Sequence, residues 1–123
     1  LLQDELKEEL INLRGKIESL RGYFDLPTLK EEFEGITKQL TSDEVWSSPQ
    51  KTGKLLKRKS KLDDIISHFE SLSHKLTYLE ESIGILEEES GNLFLHELRQ
   101  EITDLKEEID FKIDDVIKEE TGK

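Results

Sequence analysis

The chain has 123 residues and a formal net charge of −11, because 29 Asp and Glu residues outweigh 18 Lys and Arg residues. The absence of cysteine excludes disulfides, thiolate metal sites and thiol catalysis, and no apolar run approaches the ~20 residues that a membrane-spanning helix needs. Apolar residues make up only 33% of the chain, which favours a thin, elongated core over a compact globule.

The first third of the chain predicts two short helices. We expect the first over about 2–21, ending at Arg21-Gly22, because apolar residues recur there at alternating steps of four and three: Leu6, Leu10, Leu13, Ile17 and Leu20. Tyr23-Phe24 should then pack back onto the bundle. Pro27 favours a first helical turn, and a second helix is expected over about 27–41 from the spacing of Leu29, Phe33, Ile36 and Leu40. Gly35 costs this helix roughly 1 kcal/mol relative to Ala, so tertiary contact must hold it.

The rest of the chain predicts two long helices. Ser48-Pro49 is typical of a helix N-terminus, and a third helix over about 49–86 is indicated by the spacing of Leu55, Leu62, Ile65, Phe69, Leu72, Leu76, Leu79, Ile83 and Leu86. A turn at 87–92 separates it from a fourth helix over about 93–118, with Leu95, Leu98, Ile102, Leu105, Ile109 and Val116 on one stripe. Such a pair should form an antiparallel coiled-coil hairpin on which the two shorter helices pack. We therefore expect an all-α fold of four helices and a single domain over 1–123.

One basic window interrupts the acidic background. It carries six positive charges and no acid, so the rest of the chain has a net charge of −17. The six cations are Lys51, Lys54, Lys57, Arg58, Lys59 and Lys61. Cations near the positive end of a helix dipole are unfavourable, so some compensation is expected. Either acidic faces of neighbouring helices supply it, or the window contacts an RNA backbone or an acidic partner protein.

Trp46, the only tryptophan, allows two interpretations. We expect its ring to be buried over the second and third helices as a cap on one end of the bundle. The alternative is an exposed anchor for a partner protein.

The sequence carries no motif of an enzyme. The histidines His68 and His74 are six residues apart and face different ways on a helix, so their spacing does not indicate a metal site. Gly53-Lys54 lacks the other residues of a phosphate-binding loop, and no serine sits in a nucleophile elbow. We expect no catalytic activity and no cofactor.

Two segments carry a resemblance to a known family. Leu20-Arg21-Gly22-Tyr23-Phe24-Asp25, followed by a helix and then by Asp43-Glu44-Val45-Trp46-Ser47-Ser48-Pro49, resembles the N-terminal domain of bacterial peptide chain release factor 2. The likeness covers about 13–111 and includes the basic start of the long helix. The chain departs from the family beyond Phe111, where acids such as Asp114-Asp115 replace basic residues. It also lacks the Gly-Gly-Gln motif for peptidyl-tRNA hydrolysis and the Ser-Pro-Phe motif for stop-codon reading.

The resemblance implies an accessory module of a translation termination factor. Such a module would be cytoplasmic and monomeric and would dock on the ribosome near the stalk base, on protein and ribosomal RNA, with no contact to membrane or DNA. Because the chain contains no Met, we expect it to be a piece of a longer protein. Two alternatives stay open: a stand-alone helical adaptor that binds the ribosome, and a generic oligomerising coiled-coil scaffold.

Overall fold

The structure is a computed structural model that describes residues 2–86 and 92–120, with side chains at all of these except 86, 92, 93, 112, 113 and 115–120. Five helices follow in chain order: α1 (Leu2–Phe24), α2 (Leu26–Gln39), α3 (Asp43–Trp46), α4 (Pro49–Leu86) and α5 (Asn92–Glu120). The described residues contain no strand, so the predicted all-α class is confirmed. No helix in these ranges is long and apolar enough to cross a membrane.

Two features of the helices differ from the expectation. The predicted stop of α1 at Arg21-Gly22 is wrong, because the helix continues to Phe24 and ends where Asp25 adopts a left-handed conformation with φ 53°. Aspartate tolerates this conformation better than most residues. The four-residue helix α3 is an addition to the four helices expected. The bounds of α4 match the prediction. Of the predicted turn at 87–92, residues 87–91 lie outside the described residues, whereas Asn92 is the first residue of α5. The side chain of Val116 is not among those that the structure describes.

The chain divides into two compact units. We call Leu20–Glu70 the central unit, and Leu1–Ser19 together with Ser71–Lys123 the terminal unit. Helices α1 and α4 each contribute residues to both units. The expectation of one domain over 1–123 stays a prediction.

The core of the central unit joins α2 to the middle of α4. Its buried apolar residues are Leu26, Leu29, Ile36, Leu62, Ile65, Ile66 and Phe69. The ring of Phe24, half-buried at the end of α1, meets the ring of Phe69 edge to face at a centroid distance of 5.5 Å. The expectation that Tyr23-Phe24 packs back therefore holds for Phe24, whereas Tyr23 stays 64% exposed.

The core of the terminal unit is built from one stripe on each of three helices. The buried residues are Leu6, Leu10, Leu13 and Ile17 of α1, Leu72, Leu76, Leu79 and Ile83 of α4, and Leu98, Ile102, Leu105 and Ile109 of α5. Ion pairs flank these stripes: Arg14 with Glu80, Lys16 with Asp110, and Lys75 with Glu108. Each pair joins two different helices, so the charged flanks support the same packing as the apolar stripes.

Candidate functional site

The first turn of α4 positions the basic window, and it is fixed by its own hydrogen bonds. The amide of Lys51 donates to Oγ of Ser48 at 3.4 Å, which confirms Ser48 as the N-cap. The hydroxyl of Thr52, only 7% exposed, donates to the carbonyl of Val45 at 2.8 Å. Because Val45 belongs to α3, this bond ties the short helix to the start of α4.

Trp46 is exposed rather than buried. The residue is 53% exposed, and its indole N–H donates to the carbonyl of Leu40. The expectation of a buried cap is therefore wrong. The carbonyl at the end of α2 holds the polar edge of the indole, so this bond bridges α2 and α3 while much of the ring remains in solvent.

Arg58 is the member of the basic window with an acidic partner on a neighbouring helix. Its Nε donates to Oε2 of Glu32 at 2.7 Å and its Nη2 donates to Oε1 at 3.0 Å, so two parallel bonds join α4 to α2. The hydrogen bonds from Arg58 hold the pKa of Glu32 below its usual value. Two-pronged pairs of this kind are stronger than single contacts, so Arg58 serves the packing of the central unit.

Lys59 is also turned toward α2. Its ammonium nitrogen lies 5.4 Å from the centroid of the Phe33 ring. This distance is within the range in which the ring face attracts a cation. The partners of Arg58 and Lys59 are consecutive residues, Glu32 and Phe33. They lie 26 positions earlier in the chain, so no local sequence pattern indicates these contacts.

The other four cations of the window form a separate group. Lys51, Lys54, Lys57 and Lys61 are exposed, and within the described part of the chain none of their ammonium groups forms an ion pair. Their steps of three, three and four residues place them on successive turns along one side of α4. We call this group the lysine stripe. Its ends are ten residues apart, which corresponds to about 15 Å along the helix.

The lysine stripe concentrates positive charge on an exposed side of α4. It begins beside the N-terminus of α4, where the helix dipole adds positive potential. Repulsion between these charges is unfavourable in the isolated chain, and phosphate groups would relieve it. The basic window therefore divides into two cations that contact α2 and four exposed lysines without an ion pair in the part of the chain that the structure describes.

The histidines show no arrangement for chemistry. The ring Nδ1 of His68 lies 2.8 Å from the carbonyl oxygen of Asp64, a contact within one helix turn. Among the residues that the structure describes, no three His, Asp or Glu side chains come together as a metal site would require.

Comparison with known proteins defines the class to which this helical chain belongs. The family model for the PCRF domain matches residues 29–119, so the chain belongs to the PCRF domain family. The curated proteins to which it is similar include bacterial proteins named peptide chain release factor 2. That of Chloroflexus aggregans is 29% identical over 105 residues, which are 85% of this chain and 29% of the relative.

Two further relatives carry the same name. That of Yersinia pseudotuberculosis is 31% identical over 82 residues, or 67% of this chain and 22% of the relative. That of Haemophilus ducreyi is 26% identical over 100 residues, or 81% of this chain and 27% of the relative. The resemblance noted in the sequence is confirmed, and the chain spans less than a third of the length of these relatives.

Proposed function

We propose that this chain is the N-terminal accessory domain of a bacterial peptide chain release factor and acts in translation termination by docking on the ribosome. The observation that carries the proposal is the PCRF match over 29–119, which includes the whole lysine stripe. In this proposal the stripe contacts phosphates of ribosomal RNA in the stalk-base region. Peptidyl-tRNA hydrolysis and stop-codon reading belong to other parts of the full-length factor.

Charge favours RNA over an acidic protein as the ligand of the stripe. Four lysines spaced over about 15 Å suit the regular phosphates of a nucleic acid backbone. Lysine acts as a point charge and needs no fixed geometry, unlike the two-pronged contact of Arg58 with Glu32. The cation best suited to recognise a carboxylate is thus already occupied within the domain.

Burial of the heptad stripes favours a monomer. The positions of α4 that would form the seam of an intermolecular coiled coil are buried by helices of the same chain, among them Leu62, Phe69, Leu76 and Ile83. An oligomerising scaffold would need these side chains free for a second chain. In this proposal the module is cytoplasmic and monomeric, and α4 and α5 are the two long helices of its hairpin.

The test is binding of the 123-residue chain to purified bacterial ribosomes, measured by co-sedimentation over a series of salt concentrations. The variant Lys54→Gln, Lys57→Gln, Lys61→Gln removes three charges of the stripe and leaves Arg58 in place. We expect its log–log salt slope to be shallower by about 2–3, since each of the three lost phosphate contacts reduces the slope by roughly 0.7–0.9.

A matched control removes three exposed cations elsewhere: Lys38→Gln, Arg99→Gln, Lys106→Gln. This control has the same net charge as the stripe variant, and its slope should stay close to that of the unchanged chain. Equal slopes for the two variants would show that binding follows overall charge and would refute the stripe as the contact. Absence of binding by the unchanged chain would refute ribosome docking itself.

A further inference from the structure

An apolar groove lies open between α4 and α5 in the terminal unit. One part has a volume of about 410 Å³ with Tyr78, Leu79 and Leu105 in its walls. A second part of about 290 Å³ is lined by Tyr78, Ile85, Phe94 and Leu98. Three large side chains stand exposed along it, Tyr78 at 60%, Ile85 at 67% and Phe94 at 56%. The two parts share Tyr78 and Glu101 in their walls. Exposed apolar side chains that line adjoining pockets indicate a surface for a partner.

The bank of the groove formed by α5 is acidic. Glu97, Glu101 and Asp104 line it with exposed side chains. The facing bank on α4 contributes one cation, Lys75, which is held by Glu108 at 2.8 Å. Gln100 donates to Asp104 at 3.0 Å, a bond that leaves the charge of the carboxylate in place. A ligand of this groove would therefore meet an apolar floor and a negatively charged rim.

Helix α1 shows what kind of segment fits against this pair of helices. It buries an apolar stripe that contains Leu10 and Leu13, and Leu10 lies beside Ile83 of α4 in the wall of a different pocket. Its cations reach acids on both helices, Arg14 to Glu80 at 2.7 Å and Lys16 to Asp110. An apolar stripe flanked by cations is thus the pattern that α4 and α5 already accept within the chain.

We propose that the groove between α4 and α5 binds a cationic amphipathic helix of a partner protein. Acidic residues of the groove run from Glu97 to Glu108, and with Phe94 they span about 21 Å of α5. A partner helix of about four turns covers this length. Its apolar residues pack on Tyr78, Ile85 and Phe94, and its Lys or Arg residues face Glu97, Glu101 and Asp104. This inference concerns a surface distinct from the lysine stripe and does not rest on the proposed ribosome docking.

The probe is a fluorescein-labelled 15-residue peptide of Leu, Ala and Lys, with its leucines on one helical stripe and lysines beside them. Binding to the chain is measured by fluorescence anisotropy. The variant Glu97→Gln, Glu101→Gln, Asp104→Asn should weaken it about tenfold, since three rim contacts are lost. The variant Tyr78→Ser, Ile85→Ser should weaken it at least about tenfold, because it removes the apolar contacts.

Matched controls distinguish the effect of the groove residues on peptide binding from the effect of losing charge or apolar surface elsewhere. Glu8→Gln, Glu9→Gln, Glu107→Gln removes the same charge from exposed positions outside the groove, and Phe111→Ser removes a side chain that is 74% exposed. Both should change binding by less than about twofold. A peptide of the same composition with its leucines scattered around the helix should bind about tenfold more weakly than the striped peptide.

The location of binding is read from backbone amide shifts of the isotope-labelled chain. We expect the largest changes at 75–85 of α4 and 94–108 of α5. Largest changes elsewhere, or equal losses in the groove variants and their controls, would overturn the proposal. A dimer seen by sedimentation that the Tyr78→Ser, Ile85→Ser variant abolishes would make a second copy the occupant and would overturn it as well.

Discussion

Replacing Arg58 by Ala should cost the domain about 1 kcal/mol of stability and leave binding by the lysine stripe nearly intact. The two bonds from Arg58 to Glu32, at 2.7 and 3.0 Å, are the geometry in which an ion pair contributes most. Solvent reduces that contribution, because the two side chains are 36% and 38% exposed. We therefore place the coupling at about 1 kcal/mol, the upper end of the range for exposed pairs.

The same pair should make stability depend on pH in a defined direction. Bonding to Arg58 lowers the pKa of Glu32 in the folded chain, so the folded state binds the proton more weakly than the unfolded state. The contribution is complete above the unfolded value near pH 4.3 and is lost as the pH falls through the lower folded pKa. Acidification should therefore weaken the coupling, whereas a change from pH 6 to pH 8 should leave it unaltered.

The assay is a double-mutant cycle of Arg58→Ala, Glu32→Ala and the double variant, measured by urea unfolding at pH 7 and again near pH 3. Each single variant should lose about as much stability as the double variant, since either change removes the same interaction. A coupling below about 0.3 kcal/mol at pH 7 would refute the structural role of the pair. A coupling energy near pH 3 that equals the value at pH 7 would also refute this role.

Three further changes test the central unit by urea unfolding. Phe69→Ala should cost about 3–5 kcal/mol, because the side chain is 1% exposed and its ring contacts Phe24. Gly35→Ala should stabilise the chain by roughly 1 kcal/mol, since an added Cβ would meet no atom within 4 Å. Thr52→Val should cost about 1–2 kcal/mol, because it removes the hydroxyl that donates to the carbonyl of Val45.

Two of these three changes have a matched control. Phe111→Ala truncates an exposed phenylalanine and should be close to neutral. Thr52→Ser keeps the hydroxyl and should recover much of the stability that Val loses. A Phe69→Ala cost below about 1 kcal/mol would contradict the assigned burial. A destabilising Gly35→Ala would show that the helix needs the glycine for close approach.

The long helices were predictable from sequence because spacing alone determines them. Apolar steps of three and four alternate from Leu62 on, and together with the helix start at Ser48-Pro49 they gave the bounds of α4. The end of α1 was not predictable in this way. The sequence suggested that Gly22 would end the helix, whereas Asp25 adopts the left-handed conformation at its end. The exposure of Trp46 was also missed, since the packing around a single aromatic residue leaves no periodic signal.

In the sequence, the candidate site is visible only as a run of basic residues. The composition of the window located all six cations. Its division into Arg58 and Lys59 on one side and the lysine stripe on the other depends on Glu32 and Phe33, which belong to a different helix. Periodicity along α4 places each cation around the helix, but it cannot show which of them a neighbouring helix has already engaged.

The order in which the two units become complete during synthesis follows from their division along the chain. The central unit is continuous in sequence, so all its residues exist once Glu70 has been added. The terminal unit needs both Leu1–Ser19 and Ser71–Lys123. Helix α1 is therefore synthesised before the parts of α4 and α5 against which it packs. At about 5–20 residues per second, the apolar stripe of α1 remains without those partners for several seconds on the translating ribosome. Nascent α1 is therefore the segment of this chain with the greatest need of protection from early association.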